Sequence, residues 1–120
     1  MNGRERPSYA YKVPRAERIA RPNDQLRKTG LGGRVMLTRG VRTLPGLSLD
    51  SLLAALAVYD AFDADNDPHG ERDFGDLECC GAELFWKIDY YDKQLEYRSD
   101  DPADPSVTTR VLTIMLTSEY

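Results

Sequence analysis

The sequence predicts an α+β fold: a single small domain in which an antiparallel three- to four-stranded meander packs against two or three helices. Three observations carry that reading. Leu49, Leu52, Leu53, Leu56 and Tyr59 recur at helical spacing. Apolar and polar residues alternate in three segments between residues 76 and 98, as half-buried strands require. A length of 120 residues allows one modest core and no second domain. With 41% apolar and 30% charged residues the chain is suited to folding, and a disordered class is excluded. No stretch approaches the roughly 18 apolar residues of a membrane span and no targeting segment stands at the start, so a cytoplasmic protein without a membrane partner is expected.

Residues 1–22 mix Arg, Pro, Ser and Tyr and predict a flexible basic N-terminal arm, followed by a compact α+β domain over residues 23–120. A helix starting at Arg15 is interrupted by Pro22, and Asn23 is placed to cap a shorter helix over 24–29 that Gly30, Gly32 and Gly33 end. Arg34-Val-Met-Leu-Thr38 is apolar and bounded by glycines, a strand with Val35 and Leu37 inward. Ser48 is an N-cap, Asp50 suits the dipole of the first turn, and a helix runs over 48–61. Three strands follow: Leu77 and Cys79 on the first, Leu84, Trp86, Ile88 and Tyr90 on the second, Leu95 and Tyr97 on the third, with Gly81-Ala-Glu83 and Asp92-Lys93 as hairpin connections. Asp104 and Pro105 suit the start of a final helix over 107–120, although the Thr-, Val- and Ile-rich segment also allows an edge strand through Leu112, Ile114 and Leu116. The expected core is Val35, Leu37, Leu52, Leu53, Leu56, Leu77, Leu84, Trp86, Ile88 and Leu95, with Val111 or Met115 from the last segment.

Net charge is −4, yet residues 1–43 carry +8 and residues 44–120 carry −12. The asymmetry fits two halves that attract each other on folding, or a basic arm that binds nucleic acid beside an acidic body. The first is favoured, because Arg15, Arg18, Arg21, Arg27 and Lys28 are spread out without interleaved aromatic residues. Adjacent Cys79 and Cys80 lack the C-x-x-C spacing of zinc and redox sites, and adjacency strains a mutual disulfide. Two reduced thiols are expected, Cys79 inward and Cys80 outward near a turn.

The candidate site is Asp63-Ala-Asp-Asn-Asp-Pro-His-Gly-Glu-Arg-Asp-Phe-Gly75, which gathers carboxylates around the only histidine. Asp65, Asn66, Asp67, His69, Glu71 and Asp73 are its candidate binding residues. Hard cations are held by clustered carboxylate oxygens, which makes Asp65, Asp67, His69 and Glu71 candidate ligands for a divalent metal, although no cofactor is assigned. An EF-hand counted from Asp65 keeps glycine at Gly70 but puts Asp76 where the bidentate Glu belongs and a strand where a helix is needed, so that motif is rejected. Residues two apart in a strand are also too widely spaced to chelate one ion easily. His69 beside Glu71 or Asp73 is the candidate acid–base pair, but no nucleophile elbow or phosphate loop names a reaction. A purely structural role competes with both: Asp67-Pro-His-Gly70 has the residue order of a type I turn, and Asp63 and Asn66 suit bonds to their own backbone. In Phe85-Trp-Lys-Ile-Asp-Tyr-Tyr91, Trp86 and Tyr90 are assigned to the core, leaving Phe85 and Tyr91 exposed beside Asp89, a poor setting for phosphate.

Three strings taken together, Asn66-Asp-Pro-His-Gly-Glu-Arg-Asp-Phe-Gly75, Phe85-Trp-Lys-Ile-Asp-Tyr-Tyr-Asp92, and Asp101-Pro-Ala-Asp-Pro105 followed by Thr109-Arg-Val-Leu-Thr-Ile-Met-Leu116, resemble a family of short bacterial proteins of unknown function, often found on plasmids and other mobile elements. The resemblance runs over residues 23–120 and implies one compact domain. It carries no catalytic residue. The leading expectation is a non-enzymatic interaction protein whose acidic body docks on a host protein with a basic surface. The alternatives are a small metal-assisted or acid–base enzyme centred on the Asp/His/Glu loop and a nucleic-acid binder using the basic arm.

Overall fold

The computed structural model describes residues 13–120, so the arm expected at 1–22 lies outside the described residues up to residue 12. The elements are α1 (Arg15–Thr29), β1 (Gly33–Leu37), α2 (Arg39–Arg42), α3 (Leu49–Ala57), β2 (Phe74–Cys79), β3 (Ala82–Tyr91), β4 (Thr109–Leu116) and a final 3-10 turn (Thr117–Glu119). The sheet order is β1-β4-β3-β2. β2–β3 and β3–β4 are antiparallel, whereas β1 joins β4 in parallel. The α+β class stands, and the expected pure meander is corrected to a mixed sheet.

One face of the sheet is packed under the helices. The register places Leu84 opposite Leu116, Trp86 opposite Ile114, Ile88 opposite Leu112 and Tyr90 opposite Arg110 on that face. Leu26 of α1 and Leu52 and Leu56 of α3 are buried against it. Tyr59, Phe62 and Trp86 pack edge to face, with ring centroids 5.0–6.0 Å apart. A Cβ at Gly75 would stand 2.6 Å from Trp86 Nε1, so the aromatic cluster needs glycine there. Among the described residues no α-helix covers the opposite face. Phe74, Phe85 and Tyr120 meet on it at centroid distances of 5.1–5.8 Å, so Phe85 is half-buried where exposure was expected, as is Tyr91.

Four expectations are corrected. Helix α1 begins at Arg15 and passes through Pro22, so the boundary placed at residue 22 falls inside a helix. Interior proline removes the bond to the carbonyl four residues back, at a cost of about 3 kcal/mol. Ile19, Ala20, Asn23, Leu26 and Arg27 offset it by burying one continuous stripe, and Gly30 ends the helix in the left-handed region at φ 76°. Helix α3 starts as expected, with Ser48 Oγ accepting from the Ser51 N–H, but stops at Ala57; Leu53 is exposed on it.

The expected third strand over 94–98 is a turn. The Asp92 carboxylate accepts from the Glu96 N–H at 3.0 Å, Leu95 adopts φ 61°, and only Arg98 forms a bridge, to Tyr91; Leu95 therefore lies outside the core. The last segment is strand β4, neither helix nor edge. A helix there would leave β1 and β3 without the central strand that satisfies the backbone groups of both. Its core residues are Leu112 and Ile114; Val111 points to the open face, where Met115 is buried.

Candidate functional site

The connection over residues 58–73 links α3 to β2, and from Ala61 onward it is fixed largely by its own side chains. Asp63 Oδ1 accepts from the N–H groups of Asp65 and Asn66 at 2.9 and 3.0 Å, and Asn66 bonds back to the Asp63 N–H and the Ala61 carbonyl. The Gly70 N–H donates to the Asp67 carbonyl at 3.1 Å, closing the turn expected at Asp67-Pro-His-Gly70. Asp67 Oδ1 then accepts from the N–H of Arg72, which is held at φ 53°. The self-bonding expected of Asp63 and Asn66 is therefore present.

The six candidate residues do not converge. Asp65, Asn66, His69 and Asp73 line one hollow of about 380 Å³, together with Pro68, Phe74, Lys87, Asp89 and Tyr120. Asp67 serves the Arg72 backbone, and Glu71 turns under helix α1, where its Oε1 accepts from the Tyr90 hydroxyl at 2.9 Å. Among the described residues, no three His, Cys, Asp or Glu side chains are grouped to hold a metal ion. Asp65, Asp67, His69 and Glu71 are thus not assembled as one ligand set. Within the hollow, burial raises the Asp73 carboxyl above the ordinary carboxylate range, and the charges of Glu71 and Asp67 add to the effect. Lys87 reaches Asp89 at 3.2 Å.

The residues that sequence reasoning missed lie beneath α1. Arg110, on the helix-covered face of β4, is 2% exposed. Its guanidinium donates to Asn23 Oδ1 at 2.7 Å, to the Ile19 carbonyl and to the Pro102 carbonyl, and stands 5.2 Å from the Tyr90 ring centroid. Asn23, fully buried, donates to the Glu71 carbonyl at 3.0 Å and the Tyr90 hydroxyl at 2.8 Å. Burial lowers the Arg110 pKa and pushes the Tyr90 hydroxyl well above its usual range. A second group surrounds Asp24, whose carboxylate accepts from Arg72 and from the buried Arg27. Arg72 also pairs with Glu17, and Arg27 sits 5.3 Å from the Phe62 ring centroid. Ion pairs between the two halves run both ways. Arg15–Asp101 runs in the expected direction, but Arg72 reverses it, a cation of the acidic half paired with acids of the basic half. The one advance signal for the buried groups was Arg110, a charge within an otherwise Thr-rich and apolar segment.

The open face carries a different arrangement. Asp76 and Glu78 of β2 and Glu83 of β3 are exposed there, and the register sets Glu78 directly opposite Glu83. None of the three makes an ion pair among the described residues. Fold and site thus define a small α+β protein with a helix-covered mixed sheet, a self-bonded acidic loop and an acidic open face. The chain belongs to the family described as "Protein of unknown function (DUF3768)", whose sequence profile matches residues 37–119. Membership of a family of unknown function, expected over residues 23–120, is thus shown over residues 37–119, and α1 lies outside the matched span. No curated protein and no solved structure matches the chain. No helix among the described residues is long and apolar enough to cross a membrane.

Proposed function

We propose that this chain is a non-enzymatic interaction protein of mobile-element type whose acidic body docks on a basic host protein surface. One observation carries the reading: Glu78 and Glu83 face each other on the open side of the hairpin with no cation paired to either among the described residues. Like charges directly opposite destabilise a strand pair, and a basic partner removes that repulsion while steering encounter. Asp76 continues the acidic row toward the hollow, where Asp65 and Asp73 lie beside the rings of Phe74 and Tyr120. Carboxylates next to aromatic faces suit a lysine or arginine side chain. A host protein that handles nucleic acid, and so presents a basic surface, fits the bacterial, plasmid-borne setting implied by the resemblance.

The test is affinity capture from a bacterial lysate, comparing the wild-type chain with a Glu78→Gln/Glu83→Gln variant at low and high salt. The expected result is a captured protein whose crosslinks join the β2–β3 hairpin to a basic patch, lost in the variant and at high salt. Equal capture by the variant sinks the reading. The raised Asp73 carboxyl in a hollow shared with His69 favours a second reading, an acid–base centre. Turnover of any substrate by the wild type, abolished in Asp73→Asn with the fold intact, would establish it.

A further inference from the structure

The tip of the β2–β3 hairpin holds the two cysteines, Cys79 packed against the edge of the core and Cys80 outside it. The last register pair is Cys79 opposite Ala82, so Cys80 and Gly81 form a two-residue connection, and both have positive φ, 57° and 77°. Such a turn favours Asn, Asp or Gly at its first position, and this chain places cysteine there. Cys80 is exposed and Cys79 half-buried, both as free thiols. Their sulfurs lie 3.2 Å apart and share a hydrogen bond, which raises the Cys79 thiol above its ordinary range.

We propose that Cys79 and Cys80 form a vicinal dithiol that is reversibly oxidised to an intramolecular disulfide by a peroxide. The Cys80 thiolate, the more accessible, attacks a peroxide oxygen. The O–O bond breaks, and a sulfenic acid and a first water form once the leaving oxygen is protonated. Cys79 sulfur then attacks the Cys80 sulfur, the S–O bond breaks, and the hydroxyl leaves with a proton as a second water. Two thiols and one hydrogen peroxide thus give one disulfide and two waters; the protein loses two electrons and the peroxide gains them. The resolving sulfur needs to close only from 3.2 Å to a bond of about 2.05 Å, at a hairpin tip open to solvent. Adjacent Cα atoms are about 3.8 Å apart, below the usual disulfide range, so the ring is strained and thiol reductants reopen it readily. This property is independent of the docking reading, although the dithiol lies between Glu78 and Glu83.

The experiment uses the full chain, reduced and then exposed to one equivalent of hydrogen peroxide, with intact mass and peptide mapping as readouts. The expected product is a monomer lighter by two hydrogens, with the link mapped to Cys79–Cys80 and reversed by dithiothreitol. Cys79→Ser should abolish the link and leave a Cys80 sulfenic acid that dimedone traps. Cys80→Ser should abolish both link and trap, and circular dichroism checks that each variant is folded. Wild-type product consisting of intermolecular disulfide dimers, or of sulfinic acid without loss of two hydrogens, would overturn the proposal.

Discussion

The acidic loop and the polar cluster under α1 have similar chemical content and opposite physical standing. The loop holds its carboxylates at or near the surface and satisfies much of its own backbone through Asp63 and Asn66. The cluster puts an arginine, an asparagine and a tyrosine hydroxyl into the interior, where each depends on partners distant in sequence. Charge density along the chain marked the first, whereas stability should reside in the second. A buried polar group that loses its partner bears the full desolvation cost, and an exposed one is rescued by water.

Arg110→Ala tests this contrast most severely. It leaves Asn23 Oδ1 and the Pro102 carbonyl without the Arg110 donor, takes a second donor from the helical Ile19 carbonyl, and removes the packing on the Tyr90 ring. The expected loss is about 2–4 kcal/mol in urea unfolding, since each buried acceptor left unsatisfied costs about 1–3 kcal/mol and the departing charge takes its own desolvation cost with it. Arg110→Lys keeps the charge but not the planar fork, so it should recover only part of that loss. Loss in Arg110→Ala below about 1 kcal/mol would place the cluster on the same footing as an exposed loop. A double-mutant cycle with Asn23→Ala sharpens the point, because the two side chains touch and their effects should fail to add.

Two carboxylates, one from each region, give opposite responses to pH. Burial opposes ionisation of Asp24, but hydrogen bonds from Arg72 and Arg27 outweigh it and hold its carboxyl below the ordinary range. Its contribution to stability is complete above the unfolded carboxylate pKa of about 4, and is lost as pH falls through the depressed folded value. Asp73 has the opposite sign: its folded pKa is raised, so ionisation costs stability, beginning above the unfolded value and complete above the folded one. Asp73→Asn should therefore raise Tm at neutral pH and lose that advantage in acid, whereas Asp24→Asn should lower Tm at neutral pH and converge with the wild type in acid. Parallel Tm–pH curves for the two variants would remove the electrostatic distinction between the regions.

What the sequence disclosed follows the same division. Local rules worked where the chain contacts itself over a few residues: the Ser48 cap, the β2–β3 alternation and the Asp67-Pro-His-Gly70 turn are all present. They failed where a distant partner decides. Pro22 hid a helix that is held by burial of Ile19, Leu26 and their neighbours. Residues 107–120 admit either helix or strand, and the choice is made by β1 and β3, which flank them. Residues 94–98 alternate like a strand but close as a turn on Asp92. The site divided likewise: Asp65, Asn66, His69 and Asp73 came together, whereas Glu71, counted as a loop ligand, belongs to a network whose Asn23 and Arg110 stand 87 positions apart.

The smallest expected effect lies at the most conspicuous residue. His69 occupies the third position of the Asp67-Pro-His-Gly70 turn with its side chain exposed, and the turn is closed by backbone atoms of Asp67 and Gly70. His69→Ala removes none of those bonds and should change stability by no more than about 0.5 kcal/mol, as for other exposed substitutions. Calcium, manganese or zinc added to the metal-stripped chain should leave Tm unshifted, because Asp67 and Glu71 are committed to Arg72 and Tyr90. A rise of several degrees with one ion, absent in His69→Ala, would show that the loop regroups around a metal. The comparison would then invert, since the self-bonded loop would be the adaptable region and the buried cluster its fixed support.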